Sequence, residues 1–135
     1  MKTILTIFLS IITTLGFAQF PDTLKYKSLD PYYFHLNYLK EEKAIIVDVR
    51  EHFEYRGKRL EGAVNIPSSG NLEFAADTIG KDYALFFYCT TGYRSKRVAA
   101  YFVEKGFQKV YSLEGGIVAW RKEGMEVTKK RERKK

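Results

Sequence analysis

The sequence predicts an α/β domain in three layers, a mainly parallel sheet between helices, and three observations carry that prediction. Residues 44–49 and 83–88 are short apolar, β-branched or aromatic runs of strand length. Residues 95–105 place Val98, Ala99, Phe102 and Val103 on one helical face directly after the second run. Strands alternating with helices along the chain are the pattern of a sheet built from crossover units. The 135 residues, 45% of them apolar and including 10 Tyr and 10 Phe, suffice for one core and one domain.

Taken in order, residues 21–28 read as a lead-in. Asp30 then caps a helix with Pro31 in its first turn, and that helix runs to about Leu39. The strand at 44–49 carries Asp48 and leads into Arg50, and residues 51–55 follow as one or two helical turns. Residues 62–67 are a brief extended piece stopped by Pro67 and Ser68-Ser69-Gly70. Residues 71–82 leave room for a short helix before the turn at Gly80-Lys81-Asp82. The strongest strand, 83–88, runs straight into Cys89, and the helix at 95–105 ends at Gly106, a residue that tolerates positive φ. Val110-Tyr111 is a last short strand and 116–122 a last helix, with Gly124 behind it; no internal repeat is present.

The ends differ from this body. Residues 1–18 begin with Lys2, continue through a mostly apolar run, and finish on Gly16-Phe17-Ala18, the pattern of a secretory signal peptide cleaved after Ala18. The run is diluted by Thr6, Ser10, Thr13 and Thr14, which argues against a membrane span. The expected product is an exported, periplasmic or secreted domain of residues 19–127, with no stable membrane insertion, followed by a basic disordered tail at 128–135. Of the formal charge of +7, the stretch 129–135 carries five and Lys2 one, so the body is nearly neutral and nucleic acid is not an expected partner.

The chemistry concentrates at Cys89-Thr90-Thr91-Gly92-Tyr93-Arg94-Ser95, between a strand and a helix. Such a loop turns successive N–H groups toward one centre and adds the positive end of a helix, which together favour an anion. The anion can be the thiolate of Cys89 itself, because a helix N-terminus and a nearby arginine lower a thiol's pKa without a histidine base. Cys89 is the single cysteine, so in an exported chain it forms no internal disulfide and is either an inert core residue or a thiol kept for reaction. The polar loop favours the second reading. Gly92 permits a tight curl, and Arg94 either supplies charge or braces the loop. Lys96 and Arg97 read as solvated residues, and His35 and His52 as surface or capping residues. Two histidines with one cysteine make a poor zinc set, and neither metal nor cofactor is expected. Asp48 reads as a carboxylate that holds neighbouring backbone and Arg50, and Trp120 as core.

Four blocks resemble, in order and spacing, the rhodanese homology domain: Asp48-Val49-Arg50-Glu51 with Glu54-Tyr55; 62–67; the Cys89 to Ser95 loop; and Leu113-Glu114-Gly115-Gly116-Ile117-Val118-Ala119-Trp120. The resemblance covers about residues 28–127. It implies an open, mainly parallel five-stranded sheet flanked by helices, with Cys89 as the sulfur acceptor. Thr90, Thr91, Gly92, Tyr93 and Arg94 would form the anion-binding loop, and Asp48, Arg50 and Ser95 its structural support. The implied activity is that of a monomeric sulfurtransferase moving a sulfane sulfur from a small donor such as thiosulfate to a thiol or cyanide through a Cys89 persulfide. One departure stands out: the family often has Gly-His where this chain has Lys58-Arg59, so a more basic rim is expected there. Sulfurtransferase loops run six residues from cysteine to arginine, as from Cys89 to Arg94, and related phosphatases carry one more. The alternatives are a non-catalytic binding module, a small-anion phosphatase or arsenate reductase, and a redox-sensing thiol.

Overall fold

The computed structural model describes residues 26–129. The signal peptide expected at 1–18 and the part of the expected tail beyond Lys129 lie outside the described residues. Strand β1 is Tyr26–Leu29, followed by helix α1 (Pro31–Lys40), β2 (Ala44–Asp48), α2 (His52–Tyr55) and β3 (Val64–Asn65). Then come α3 (Leu72–Thr78), β4 (Ala84–Tyr88), α4 (Tyr93–Glu104), β5 (Val110–Leu113) and α5 (Gly116–Lys122). All neighbouring strands are parallel, in the order β1-β5-β4-β2-β3. The predicted α/β architecture is therefore the one observed, and every pairing among the five strands is parallel where the sequence implied a mainly parallel sheet.

Most element boundaries follow from local chemistry. The Asp30 carboxylate accepts from the Tyr33 amide at 2.9 Å and caps α1 ahead of Pro31. Glu51 and Glu54 close a reciprocal capping box on α2. Two differences are instructive. Residues 26–29 are not part of a lead-in but an edge strand whose register partners are Val110 to Leu113. The strand is four residues long with an exposed polar centre, and its partner lies far along the chain, so local pattern carried no sign of it. At the other end, Thr128 exchanges both backbone hydrogen bonds with Arg59, at 2.8 and 3.0 Å, which carries the ordered domain past the boundary expected at 127.

Period-two alternation in β4 divides the core and positions the site. Ala84, Phe86 and Tyr88 face α1 and α5, packing with Phe34, Leu60, Leu113 and Trp120. Leu85 and Phe87 face α3 and α4, packing with Val98, Ala99 and Phe102, and Cys89 continues that face. The thiol thus emerges beneath the first turn of α4 and on the opposite side from Tyr88. His35 lies edge-on to Trp120, 5.7 Å between ring centroids, which accounts for its partial burial.

Candidate functional site

Cys89 follows the end of β4 and is 1% exposed. Its Sγ accepts hydrogen bonds from the Gly92 amide at 3.1 Å and the Ser95 amide at 3.5 Å. The Ser95 Oγ lies 3.6 Å from the sulfur and 2.9 Å from the Ser112 Oγ, so two hydroxyls back the thiol from α4 and β5. Burial alone would push the thiol's pKa up. The amide and hydroxyl of Ser95, with the Gly92 and Thr91 amides, outweigh that burial and hold Cys89 below its ordinary value. The loop is therefore a cradle for an anion on sulfur.

Three parts of the chain hold this loop in shape. Gly92 adopts φ 101°, and a side chain there would approach the Gly115 amide to 3.3 Å. The Ile117 amide donates to the Cys89 carbonyl at 2.9 Å and the Val118 amide to the Thr90 carbonyl at 3.2 Å, so the first turn of α5 satisfies the loop's carbonyls. Arg94 forms a bidentate pair with Glu54 at 2.8 and 3.0 Å and also donates to the Thr90 Oγ1 at 3.0 Å. The hydrogen bonds from Arg94 hold the Glu54 carboxyl at a pKa of about 2, so this brace stays charged down to strongly acid pH.

Beneath the loop, Asp48 is fully buried and receives the Arg50 amide at 2.9 Å together with the Arg50 guanidinium at 2.8 to 3.1 Å. The Tyr88 hydroxyl donates to Asp48 at 2.7 Å and accepts from the Leu60 amide at 3.2 Å. Burial, and then the Asp48 charge, push the Tyr88 pKa far up and keep the phenol a donor. These bonds tie the end of β4 to β2 and to the segment before β3. Asp48 thus holds the backbone and guanidinium of Arg50 and the hydroxyl of Tyr88 in one buried cluster.

A family model for the rhodanese-like domain matches residues 34–123. The chain belongs to that family. Solved structures agree with the fold: a rhodanese-related protein from Thermoplasma volcanium has a TM-score of 0.68 at 28% identity, covering 78% of this chain and 100% of that one. A rhodanese-like domain protein from Staphylococcus aureus has a TM-score of 0.63 at 27% identity, covering 76% and 98%. A curated relative, the tRNA uridine(34) hydroxylase of Hamiltonella defensa subsp. Acyrthosiphon pisum, is 34% identical over 87 residues, 61% of this chain and 24% of the relative. The chain thus spans about a quarter of that relative's length.

Within this rhodanese-like domain the residues named from sequence fall into three groups. Gly92 and Ser95 donate directly to Sγ, and Thr91 contributes through its backbone. Thr90 and Arg94 bond to each other and to Glu54, so Arg94 shapes the loop while its charge remains within electrostatic reach of Cys89. Tyr93 points outward, 72% exposed, with the Arg97 guanidinium over its ring at 5.9 Å. Lys96 pairs with Glu114 at 3.1 Å, which fits its reading as a solvated residue.

The basic rim expected at Lys58-Arg59 is corrected in part. Arg59 is 8% exposed, with its guanidinium over the Tyr55 ring at 4.6 Å, because its backbone is drawn inward by the bridge to Thr128. Sequence reasoning also assigned no role to Glu54 and passed over Ser112. Glu54 stands in the same block as Asp48 and could have been suspected as a counter-ion to Arg94. Ser112 gave no local signal, being one small polar residue in a four-residue buried strand.

Proposed function

We propose that this domain is a sulfurtransferase that carries a sulfane sulfur on Cys89. The observation that carries the reading is the convergence of the Gly92 and Ser95 amides on a buried Sγ, at 3.1 and 3.5 Å. With thiosulfate, the Cys89 thiolate attacks the outer sulfur; the bond between the two donor sulfurs breaks, and sulfite leaves with its electron pair. The terminal sulfur of the resulting persulfide carries the negative charge that the loop amides and the end of α4 stabilise. A nucleophilic acceptor, a thiolate or cyanide, then takes that sulfur and returns the electron pair to Sγ. The intact loop supports catalysis over a purely scaffolding use of the domain, and the nearly neutral body supports an acceptor other than nucleic acid. The relative named tRNA uridine(34) hydroxylase supports enzymatic use of such a domain.

Incubation with thiosulfate should add one sulfur atom to the intact mass, and cyanide should remove it. An unchanged mass under excess donor would overturn the reading. We further propose export, with a mature chain that begins at Gln19; the same spectrum reports that end, and a chain retaining residues 1–18 after expression in a secreting host would refute it.

Arg94→Ala should lower turnover with thiosulfate by about tenfold or more, since charge-assisted bonds of roughly 1.5–3 kcal/mol each shape the loop. Lysine should restore only part, because one ammonium cannot reproduce the bidentate bonds to Glu54. Wild-type turnover in Arg94→Ala at low salt would show that the brace is dispensable.

A further inference from the structure

A cavity of about 350 Å³ opens between α1 and the chain that follows α5, in the layer that Cys89 does not face. Its floor is apolar and buried, made by Ile46, Leu60 and Trp120. His35 and Tyr38 of α1 form a half-buried wall, and the exposed residues Glu61 and Glu126 bring two carboxylates to its mouth. The chain has 23 Lys and Arg against 16 Asp and Glu, yet none of the residues lining this cavity is Lys or Arg. The local charge is thus opposite in sign to that of the whole chain.

The polar groups of the lining are also unspent. Among the described residues the His35 ring nitrogens, the Tyr38 hydroxyl and the Glu126 carboxylate make no hydrogen bond or ion pair, whereas the Trp120 indole donates to the Glu126 backbone carbonyl at 2.8 Å. A gap left by imperfect packing calls for neither carboxylates nor polar side chains without partners. An apolar and aromatic floor with a few polar groups on one side is the composition of a small-molecule site, and the volume lies at the low end of the range for such sites. Carboxylates beside aromatic rings favour a cation, through ion pairing and through the negative faces of the rings.

We propose that this cavity binds a small organic cation, an ammonium group carried on an apolar or aromatic body. The apolar body covers Ile46, Leu60 and Trp120, and the ammonium donates to the carboxylates of Glu61 and Glu126 at the mouth. The site is separate from the Cys89 loop and stands or falls independently of sulfur transfer.

The test titrates the full chain at neutral pH and low salt with 2-phenylethylamine, its neutral analogue 2-phenylethanol and the anion 3-phenylpropanoate. Calorimetry gives the affinity, and the emission of Trp120, the single tryptophan, gives the location. The amine should bind about tenfold more tightly than the alcohol, with a saturable change in Trp120 emission, and the anion more weakly than either. The double variant Glu61→Gln, Glu126→Gln should lose about fivefold in affinity for the amine and none for the alcohol. Its floor is kept, because the Trp120 indole bonds to the backbone of Glu126 and not to its side chain. A control with the same charge change, Glu73→Gln, Glu104→Gln, on exposed residues of α3 and α4, should bind the amine as the wild type does. No heat with the amine, equal affinity for amine and alcohol, binding that leaves Trp120 emission unchanged, or an equal loss in the control would each overturn the site. Amine binding that appears only after residues 130–135 are removed would overturn it too, since the occupant would then be the chain's own basic end.

Discussion

Cys89→Ser is expected to abolish both the gain of one sulfur atom from thiosulfate and all transfer to cyanide, while the fold survives. A serine hydroxyl in this cradle could still accept from the Gly92 and Ser95 amides, so the loop keeps its shape. It cannot form a persulfide, and it lacks the nucleophilicity of a thiolate. In the wild type, the rate of sulfur uptake should rise with pH through a pKa below that of a free thiol and then level off, because the cradle lowers the pKa of Cys89. The same shift has a sign in stability. A depressed folded-state pKa stabilises the native protein fully above the unfolded-state value, and the benefit is lost as pH falls through the folded-state value. The stability of the wild type relative to Cys89→Ser should therefore increase with rising pH across that window, as read from denaturant midpoints. Transfer that persists in the serine variant would remove Cys89 from the chemistry.

Gly116→Ala is expected to be the most destabilising single-methyl change near the site. Gly116 sits at φ 60°, and a Cβ there would lie 2.4 Å from the Thr90 carbonyl oxygen and 2.5 Å from that of Cys89. Both atoms are backbone and belong to the Cys89 loop, so the clash can be relieved only by moving that loop or lifting α5 away from it. A cost of about 3–5 kcal/mol follows, in the range reserved for strain plus overpacking. Sulfur uptake should fall with it, since the amides aimed at Sγ would be displaced. Gly124 supplies the comparison: it too has positive φ, 76°, but a Cβ would meet nothing within 4 Å. Gly124→Ala should cost only about 1–2 kcal/mol, the left-handed backbone penalty, with uptake preserved. Equal urea midpoints for the two variants would show that the close approach at Gly116 is not a real constraint.

Much of this arrangement was legible in the sequence because it is local. The β-branched run at 44–49, the apolar run at 83–88 and the helical spacing at 95–105 each declare their element within a few residues. The reach of β5 to Leu113 and the edge strand at Tyr26–Leu29 were not legible. Both are short: β1 finds its hydrogen bonds only in β5, and Leu113 has its register partner in Leu29, across most of the chain. The start of α4 at Tyr93, two residues before the expected Ser95, is a smaller miss with the same origin. The helix begins as soon as Gly92 has turned the chain at φ 101°, where an added side chain would meet the Gly115 backbone from a remote segment.

The sequence by itself determined that one thiol stands between a buried strand and a helix start, in a loop of six residues that ends in arginine. Alternation along a strand then requires Tyr88 and Cys89 to face opposite layers, whatever the rest of the fold does. Only the tertiary structure decided what that thiol meets. Its hydroxyl backing comes through Ser112 on β5, its loop is braced by Glu54 from α2, and its carbonyls are satisfied by the first turn of α5. Those partners are brought together by the strand order of the sheet. A thiol's pKa and a cavity's charge depend on distances of a few ångströms, and such distances between remote segments exist only once the layers have packed.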